Sequence, residues 1–149
     1  MAKILAVANQ KGGVGKTTTS VNLCASLAAA KRRVLLVDLD PQGNATMGSG
    51  VEKSSLEASS YDVLLGDKTV RESSVLVDRG GYQLLPSNSD LTAAEIALLD
   101  EIGRELRLRQ ALEQVRQEFD YIIVDCPPSL NMLTLNALVA ADAVMIPMQ

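Results

Sequence analysis

A doubly wound, mostly parallel α/β sheet flanked by helices is the fold this sequence predicts, on three observations. Short apolar runs recur along the chain, Ile4-Leu5-Ala6-Val7-Ala8, Val34-Leu35-Leu36-Val37 and Tyr121-Ile122-Ile123-Val124, and uninterrupted apolar strands are those buried on both faces of a parallel sheet. Stretches with apolar residues at helical spacing separate these runs, and strand–helix alternation means parallel strands joined by crossovers. The core must also be built from Val, Leu, Ile and Ala, because the 149 residues include three Tyr, one Phe and no Trp. A chain of this length is near the size of one domain, so residues 1–149 are read as a single domain.

Residues 3–8 are the first strand. A glycine-rich stretch, Asn9 to Thr19, follows and leads into a helix from 16 to about 31, where Val21, Cys24/Ala25 and Ala28 make one row and Leu23 and Leu27 a second. Lys31-Arg32-Arg33 ends that helix with positive charge, which complements the helix dipole and reads as a terminus rather than a DNA patch. Val34 to Val37 is the second buried strand. Pro41 and Gly43 stop it in a loop. Residues 47–60, polar and weakly patterned, read as a mobile loop. Tyr61 to Leu65 is a short helix stopped by Gly66. Ser74–Val77 and Tyr82–Leu85 are short strands around an Asp78-Arg79-Gly80-Gly81 turn. From Leu91 to about Glu118 the pattern is helical in two pieces broken near Gly103, with capping-box spacing from Thr92 to Glu95 and a stripe of Leu108, Ala111, Leu112 and Val115. Tyr121 to Asp125 is a strand closed by Cys126-Pro127-Pro128. Leu130, Leu133, Ala137, Leu138 and Ala141 mark a helix face with Ser129 as its N-cap, and Ala143 to Ile146 begins another strand. A parallel strand at the end of the chain has no crossover helix after it, so further α/β structure is expected beyond Gln149.

Chemistry gathers at the carboxyl ends of these strands, where open α/β sheets bind ligands. In Lys11-Gly12-Gly13-Val14-Gly15-Lys16-Thr17-Thr18 the glycines allow a tight bend and close approach of a ligand. Successive N–H groups then form an anion nest, and the following helix N-terminus adds its dipole. Strand, glycine loop and helix together read as a phosphate site, in which Lys16 reaches the β/γ-phosphates and the Thr17 hydroxyl binds Mg²⁺. The usual pattern wants glycine where this chain has Gln10, and Lys11 is a second lysine in the loop. Asp125 fits a second metal-binding motif, Asp40 is placed to orient an attacking water, and Asp38 to hold the metal shell or the loop lysines; each could also be a strand-end cap.

Composition removes other chemistries. With no histidine, Ser-His-Asp and Cys-His catalysis and histidine-ligated metals are excluded. A net charge of −4 argues against a basic nucleic-acid reader on bulk electrostatics. Cys24 and Cys126 are far apart and read as small core residues of a reducing compartment. No apolar run is long enough to span a bilayer and no signal peptide precedes the first strand, so no membrane association is expected and the cytoplasm is the default.

On these motifs the chain resembles the ParA/MinD ATPases. Lys11 to Thr18 looks like their deviant P-loop, with Lys11 as the signature lysine. The Asp38-Leu39-Asp40-Pro41-Gln42-Gly43-Asn44-Ala45-Thr46 stretch resembles the switch I segment of chromosomal ParA proteins, also called Soj, and Val124 to Ser129 their switch II. MinD relatives usually lack the Pro-Gln-Gly-Asn stretch, which favours ParA. The resemblance implies a P-loop NTPase fold, an ATP/ADP and Mg²⁺ site formed by Lys11 to Thr18 with Thr17, Asp38 and Asp125, and catalysis by Lys11, Lys16 and Asp40. It also implies an ATP-dependent sandwich homodimer in which Lys11 reaches the partner's nucleotide, stimulation by a ParB-type protein, and non-specific DNA binding by the full-length, nucleoid-associated protein. The family's DNA-contacting residues and much of its adenine pocket lie C-terminal to Gln149. The other readings are a MinD-like membrane-associated switch, a nucleotide-binding scaffold without hydrolysis and, least favoured, a metabolic transferase on the same fold. A phosphate cradle without a supplied cation implies slow turnover.

Overall fold

Six strands form one sheet in the order β3-β4-β2-β5-β1-β6, and the connections between them decide where a ligand can bind. The computed structural model describes residues 1–8, 14–52 and 56–146. β1 (Lys3–Val7), β2 (Val34–Asp38), β4 (Tyr82–Leu85), β5 (Tyr121–Asp125) and β6 (Ala143–Met145) run parallel, while β3 (Val75–Val77) lies antiparallel to β4 at one edge. The expected doubly wound sheet is therefore the observed one. Its central strands are apolar throughout because both faces are covered: all five residues of β2 are buried, as are Ile122 to Asp125 of β5. At the opposite edge Ala143 and Val144 of β6 are exposed.

One face of the sheet packs on α1 (Val14–Ala29), through Cys24 against Val7, Leu36, Leu84 and Ile123. The other face packs on α3 (Ser60–Leu64), α5 (Ala94–Leu98), α6 (Arg107–Glu113) and α7 (Met132–Ala140), whose Val63, Leu98, Leu108, Leu112 and Leu133 meet Ile4, Leu35, Val37 and Ile122. Each such side chain taken from water contributes roughly 1.5–3 kcal/mol. From β1 the chain crosses over β5 to reach β2; from β5 it crosses over β1 to reach β6. These two connections leave in opposite directions, so the crevice at the carboxyl ends of β1 and β5 is the topological switch point, where ligands bind in such sheets.

Several local expectations change. The stretch read as a loop from 47 begins inside α2 (Asn44–Gly48), which Gly43 enters at φ 67°. A short helix not foreseen, α4 (Val70–Ser73), precedes β3. Between 89 and 118 the helical pattern is spread over α5, α6 and three 3₁₀ turns at Ser89–Ala93, Arg104–Leu106 and Arg116–Glu118, with Gly103 at φ 72° marking the expected break. Thr92 lies inside the first of those turns, because Asn88 already caps it by accepting from the Asp90 N–H. Helix α7 is capped by Asn131 rather than Ser129: the Asn131 side chain accepts from the Thr134 N–H, and the Ser129 carbonyl accepts from the Thr134 hydroxyl. Its buried face is Leu133, Thr134, Asn136, Ala137 and Ala140, while Leu130 and Leu138 are exposed.

Candidate functional site

Two carboxylates stand together at the switch point, and a third, Asp40, follows in the loop after β2. Asp38 and Asp125 are the last residues of β2 and β5 and stand directly opposite each other in the parallel register, with Val7 of β1 opposite Asp125 on the other side. The ladder continues one residue further: the Leu39 N–H donates to the Asp125 carbonyl at 3.0 Å, and the Cys126 N–H to the Val7 carbonyl at 3.1 Å. Both aspartates are fully buried and Asp40 is 4% exposed. Burial pushes the Asp38 carboxyl up to about 7, and the neighbouring Asp125 charge adds to the rise.

The chain supplies donors to hold this charge. Asp38 Oδ1 accepts from the Asp40 N–H at 3.0 Å; Oδ2 accepts from the Thr46 N–H at 2.8 Å and from its hydroxyl at 2.7 Å. Thr46 sits in α2, so one carboxylate joins the two ends of the 38–46 loop. The Ser60 hydroxyl of α3 donates to the Asp38 carbonyl at 2.9 Å. Asp40 Oδ1 accepts from the Gln42 N–H at 3.0 Å. The Asp40 carbonyl accepts from the Gly43 N–H at 2.8 Å and from the Ser87 hydroxyl at 2.6 Å. The Ser87 N–H, just past β4, donates to Thr46 Oγ1 at 3.0 Å. Asp125 Oδ1 accepts from the Ser20 hydroxyl of α1 at 2.7 Å, which fastens the beginning of α1 over the end of β5.

Val14 to Thr18 form the start of α1, so Lys16 and Thr17 belong to the turn whose unpaired N–H groups favour anions. Lys11, Gly12 and Gly13, and the side chains of residues 14–18, lie outside the described residues. Because Ser20 follows Thr17 by about one helical turn, its bond to Asp125 sets the first turn of α1 beside the β5 carboxylate. Asp38, Asp40 and Asp125 are thus brought to one crevice with the start of α1. Ser20, Thr46, Ser60 and Ser87 complete the frame; Thr46 closes the stretch that resembles switch I, and the three serines are small polar residues that no motif marks. Among the described residues no cluster of three or more His, Cys, Asp or Glu side chains could hold a metal alone. This donor set suits Mg²⁺, which takes one or two carboxylates and fills its shell with water and phosphate oxygens.

Away from this crevice, a groove of about 430 Å³ lies at the opposite ends of β2 and β4. Its two arginines are committed, Arg33 to Asp120 at 3.2 Å and Arg71 to Glu118. Cys24 and Cys126 are buried, and burial raises the Cys24 thiol far above its ordinary value, so neither is a nucleophile. No helix among the described residues is long and apolar enough to cross a membrane.

Residues 2–149 match a family model described as an AAA domain, and the chain belongs to that family of nucleotide-binding domains. Within it the chain is of the ParA/Soj type. It is 55% identical over 149 residues to the sporulation initiation inhibitor protein Soj of Bacillus subtilis, and 52% identical to the chromosome partitioning protein ParA of Myxococcus xanthus. These matches cover the whole chain but 59% and 53% of the two relatives, so the chain spans little more than half their length. Among solved structures, it is 50% identical to a Mycobacterium smegmatis protein named cobyrinic acid a,c-diamide synthase, with bound ATP analog and magnesium, at a TM-score of 0.97 covering 100% of this chain and 61% of that one.

Proposed function

We propose that this chain is the nucleotide-binding part of a partition ATPase that binds Mg-ATP, dimerises on it and hydrolyses it slowly. The observation that carries this reading is the Ser20–Asp125 hydrogen bond across the switch point. It sets a β-strand carboxylate beside the turn of α1 that holds Lys16 and Thr17, the arrangement a Mg-nucleotide needs. Gly12, Gly13, Val14, Gly15 and Thr18 form the phosphate cradle, and Lys16 reaches the β/γ-phosphates. Thr17 and Asp125 hold Mg²⁺, whose chemistry is to neutralise phosphate charge. Asp38, its oxygens engaged by residues 40 and 46, adds negative charge behind the metal and frames the loop. Asp40 orients the attacking water. Lys11 crosses to the nucleotide of a second subunit. In the longer protein a ParB-type partner accelerates turnover, and the ATP-bound dimer holds DNA without sequence preference, in the cytoplasm on the nucleoid.

Calorimetric titration of Lys16→Ala with ATP tests the site. Binding should be lost; an affinity equal to that of the unsubstituted protein would refute the assignment. A second reading, ATP-dependent formation of an amide on a carboxylic acid, is favoured by the likeness to the Mycobacterium smegmatis protein, whose name is that of an amide-forming synthase. Phosphate release from ATP, measured with and without cobyrinic acid and an ammonia source, separates the two: the partition reading expects turnover that neither addition changes.

A further inference from the structure

We propose that Thr46 is a positioning residue for ATP hydrolysis, its hydroxyl clamping the Asp38 carboxylate to the end of β4 and so fixing the loop that carries Asp40. The inference rests on the hydrolysis reading above. Thr46 is fully buried and makes both kinds of hydrogen bond through one atom: Oγ1 donates to Asp38 Oδ2 at 2.7 Å and accepts from the Ser87 N–H at 3.0 Å. Its proton and a lone pair are therefore both assigned, and the hydroxyl has a single orientation. The Thr46 N–H adds a second bond to Asp38 Oδ2 at 2.8 Å.

The geometry closes a ring. Asp38 holds the Asp40 N–H through Oδ1, Thr46 holds Asp38 through Oδ2, Ser87 holds Thr46, and the Ser87 hydroxyl returns to the Asp40 carbonyl at 2.6 Å. Asp40 is thus gripped at its N–H and its carbonyl by two straps that both lead to Thr46. Removing the hydroxyl leaves the Ser87 N–H unpaired in a buried place and takes one of three donors from Asp38, so both straps lose their common anchor. The phosphate cradle is on a different segment, before and within α1, and none of the four residues of the ring belongs to it. A displaced Asp40 should therefore slow the chemical step while nucleotide binding is kept, since a misplacement of about 1 Å can cost on the order of 100-fold in rate.

Steady-state ATP hydrolysis by the intact protein, with its ParB-type activator present to raise the signal, tests this with three variants. Thr46→Val keeps the shape and removes the hydroxyl; it should lower kcat tenfold or more with KM for ATP within twofold. Thr46→Ser keeps the hydroxyl and should restore kcat to within threefold. Should the valine variant not fold, Thr46→Ala gives the same readout without pressing a methyl on Asp38. A kcat unchanged in Val and Ala overturns the proposal. So does a parallel loss of kcat and ATP binding, or a serine variant as slow as the valine one, because each marks a packing role. Failure of the reading beneath it looks different: the unsubstituted protein would then show no ATP turnover, which ends both.

Discussion

Raising the pH from about 5 to about 7 should weaken the ligand-free chain, through one group. Asp38 is fully buried and its carboxyl is pushed up from 3.8 to about 7. Between those values the native chain keeps a proton that the unfolded chain has released. The stabilising effect of that proton is fully present below pH ~4 and lost as the pH rises through about 7, with a limiting slope of about 1.4 kcal/mol per pH unit. Because the slope has fallen to half at the folded value, the two units from pH 5 to 7 remove roughly 2 kcal/mol. At a urea m-value of about 2 kcal/mol/M this is a midpoint shift of about 1 M. Few other groups interfere. The chain has no histidine, the one side chain that ordinarily titrates in this window. Asp120, Asp142 and Glu72 have lowered carboxyls, held by Arg33, by the Ile4 N–H and by the Thr69 N–H, and their contribution falls away only at acid pH. Urea unfolding followed by far-UV circular dichroism at a series of pH values measures the slope, and Asp38→Asn should flatten it. A midpoint that stays level or rises from pH 5 to 7, or an asparagine variant with the original slope, would refute the reasoning.

Two further outcomes test the other ends of the argument. Lys11→Ala should leave nucleotide binding by the monomer within a few-fold of the unsubstituted value and abolish ATP-dependent dimers, read by sedimentation with a non-hydrolysable analogue; dimers of unchanged strength would contradict the cross-subunit role. Gly80→Ala should cost about 1–3 kcal/mol in urea unfolding. Its Cβ would stand 2.2 Å from Tyr82 Cε1, and that ring is buried and tethered by a 2.6 Å hydrogen bond between its hydroxyl and Ser49; unchanged stability would show that the turn can move aside.

The strands and their chemistry were legible because burial on both faces leaves a continuous apolar run, and each of β2 and β5 ends in a carboxylate that breaks it. What could not be read was which strand ends stand together. β5 enters between β1 and β2 from far along the chain, and only that insertion puts Asp125 opposite Asp38. Nor could Ser20, Ser60 and Ser87 be separated from solvent-facing residues, since a buried hydroxyl has no pattern until its acceptor is located; Thr46 is marked only as the end of a resembling stretch, with no role. Caps show the same limit. The spacing of Ser or Thr followed three residues later by an acid recurs along the chain, among other places at Ser59–Asp62, Thr69–Glu72 and Thr92–Glu95. The first two form reciprocal boxes, while at the third Asn88 has already capped the preceding turn. Likewise, Ser129 and Asn131 are both competent caps, and the start of α7 selects Asn131.

The carboxylate pair that organises the site is also costly to bury. Two acids opposite each other on adjacent strands, both fully buried, are tolerated in the ligand-free chain because one of them holds a proton well above its ordinary range. Hydroxyl and N–H donors from Ser20, Asp40, Gln42, Thr46, Ser60 and Ser87 act on Asp38, Asp40 and Asp125, and they satisfy oxygens without neutralising charge. These donors carry no positive charge, and under the proposed function Mg²⁺ brings it with the nucleotide. A cation beside the pair favours ionised Asp38, so ligand binding and release of that proton are linked. The pH slope of the ligand-free chain should then flatten under saturating Mg-ATP. If the slope persists with nucleotide bound, the cation does not reach this pair, and the metal belongs elsewhere in the crevice.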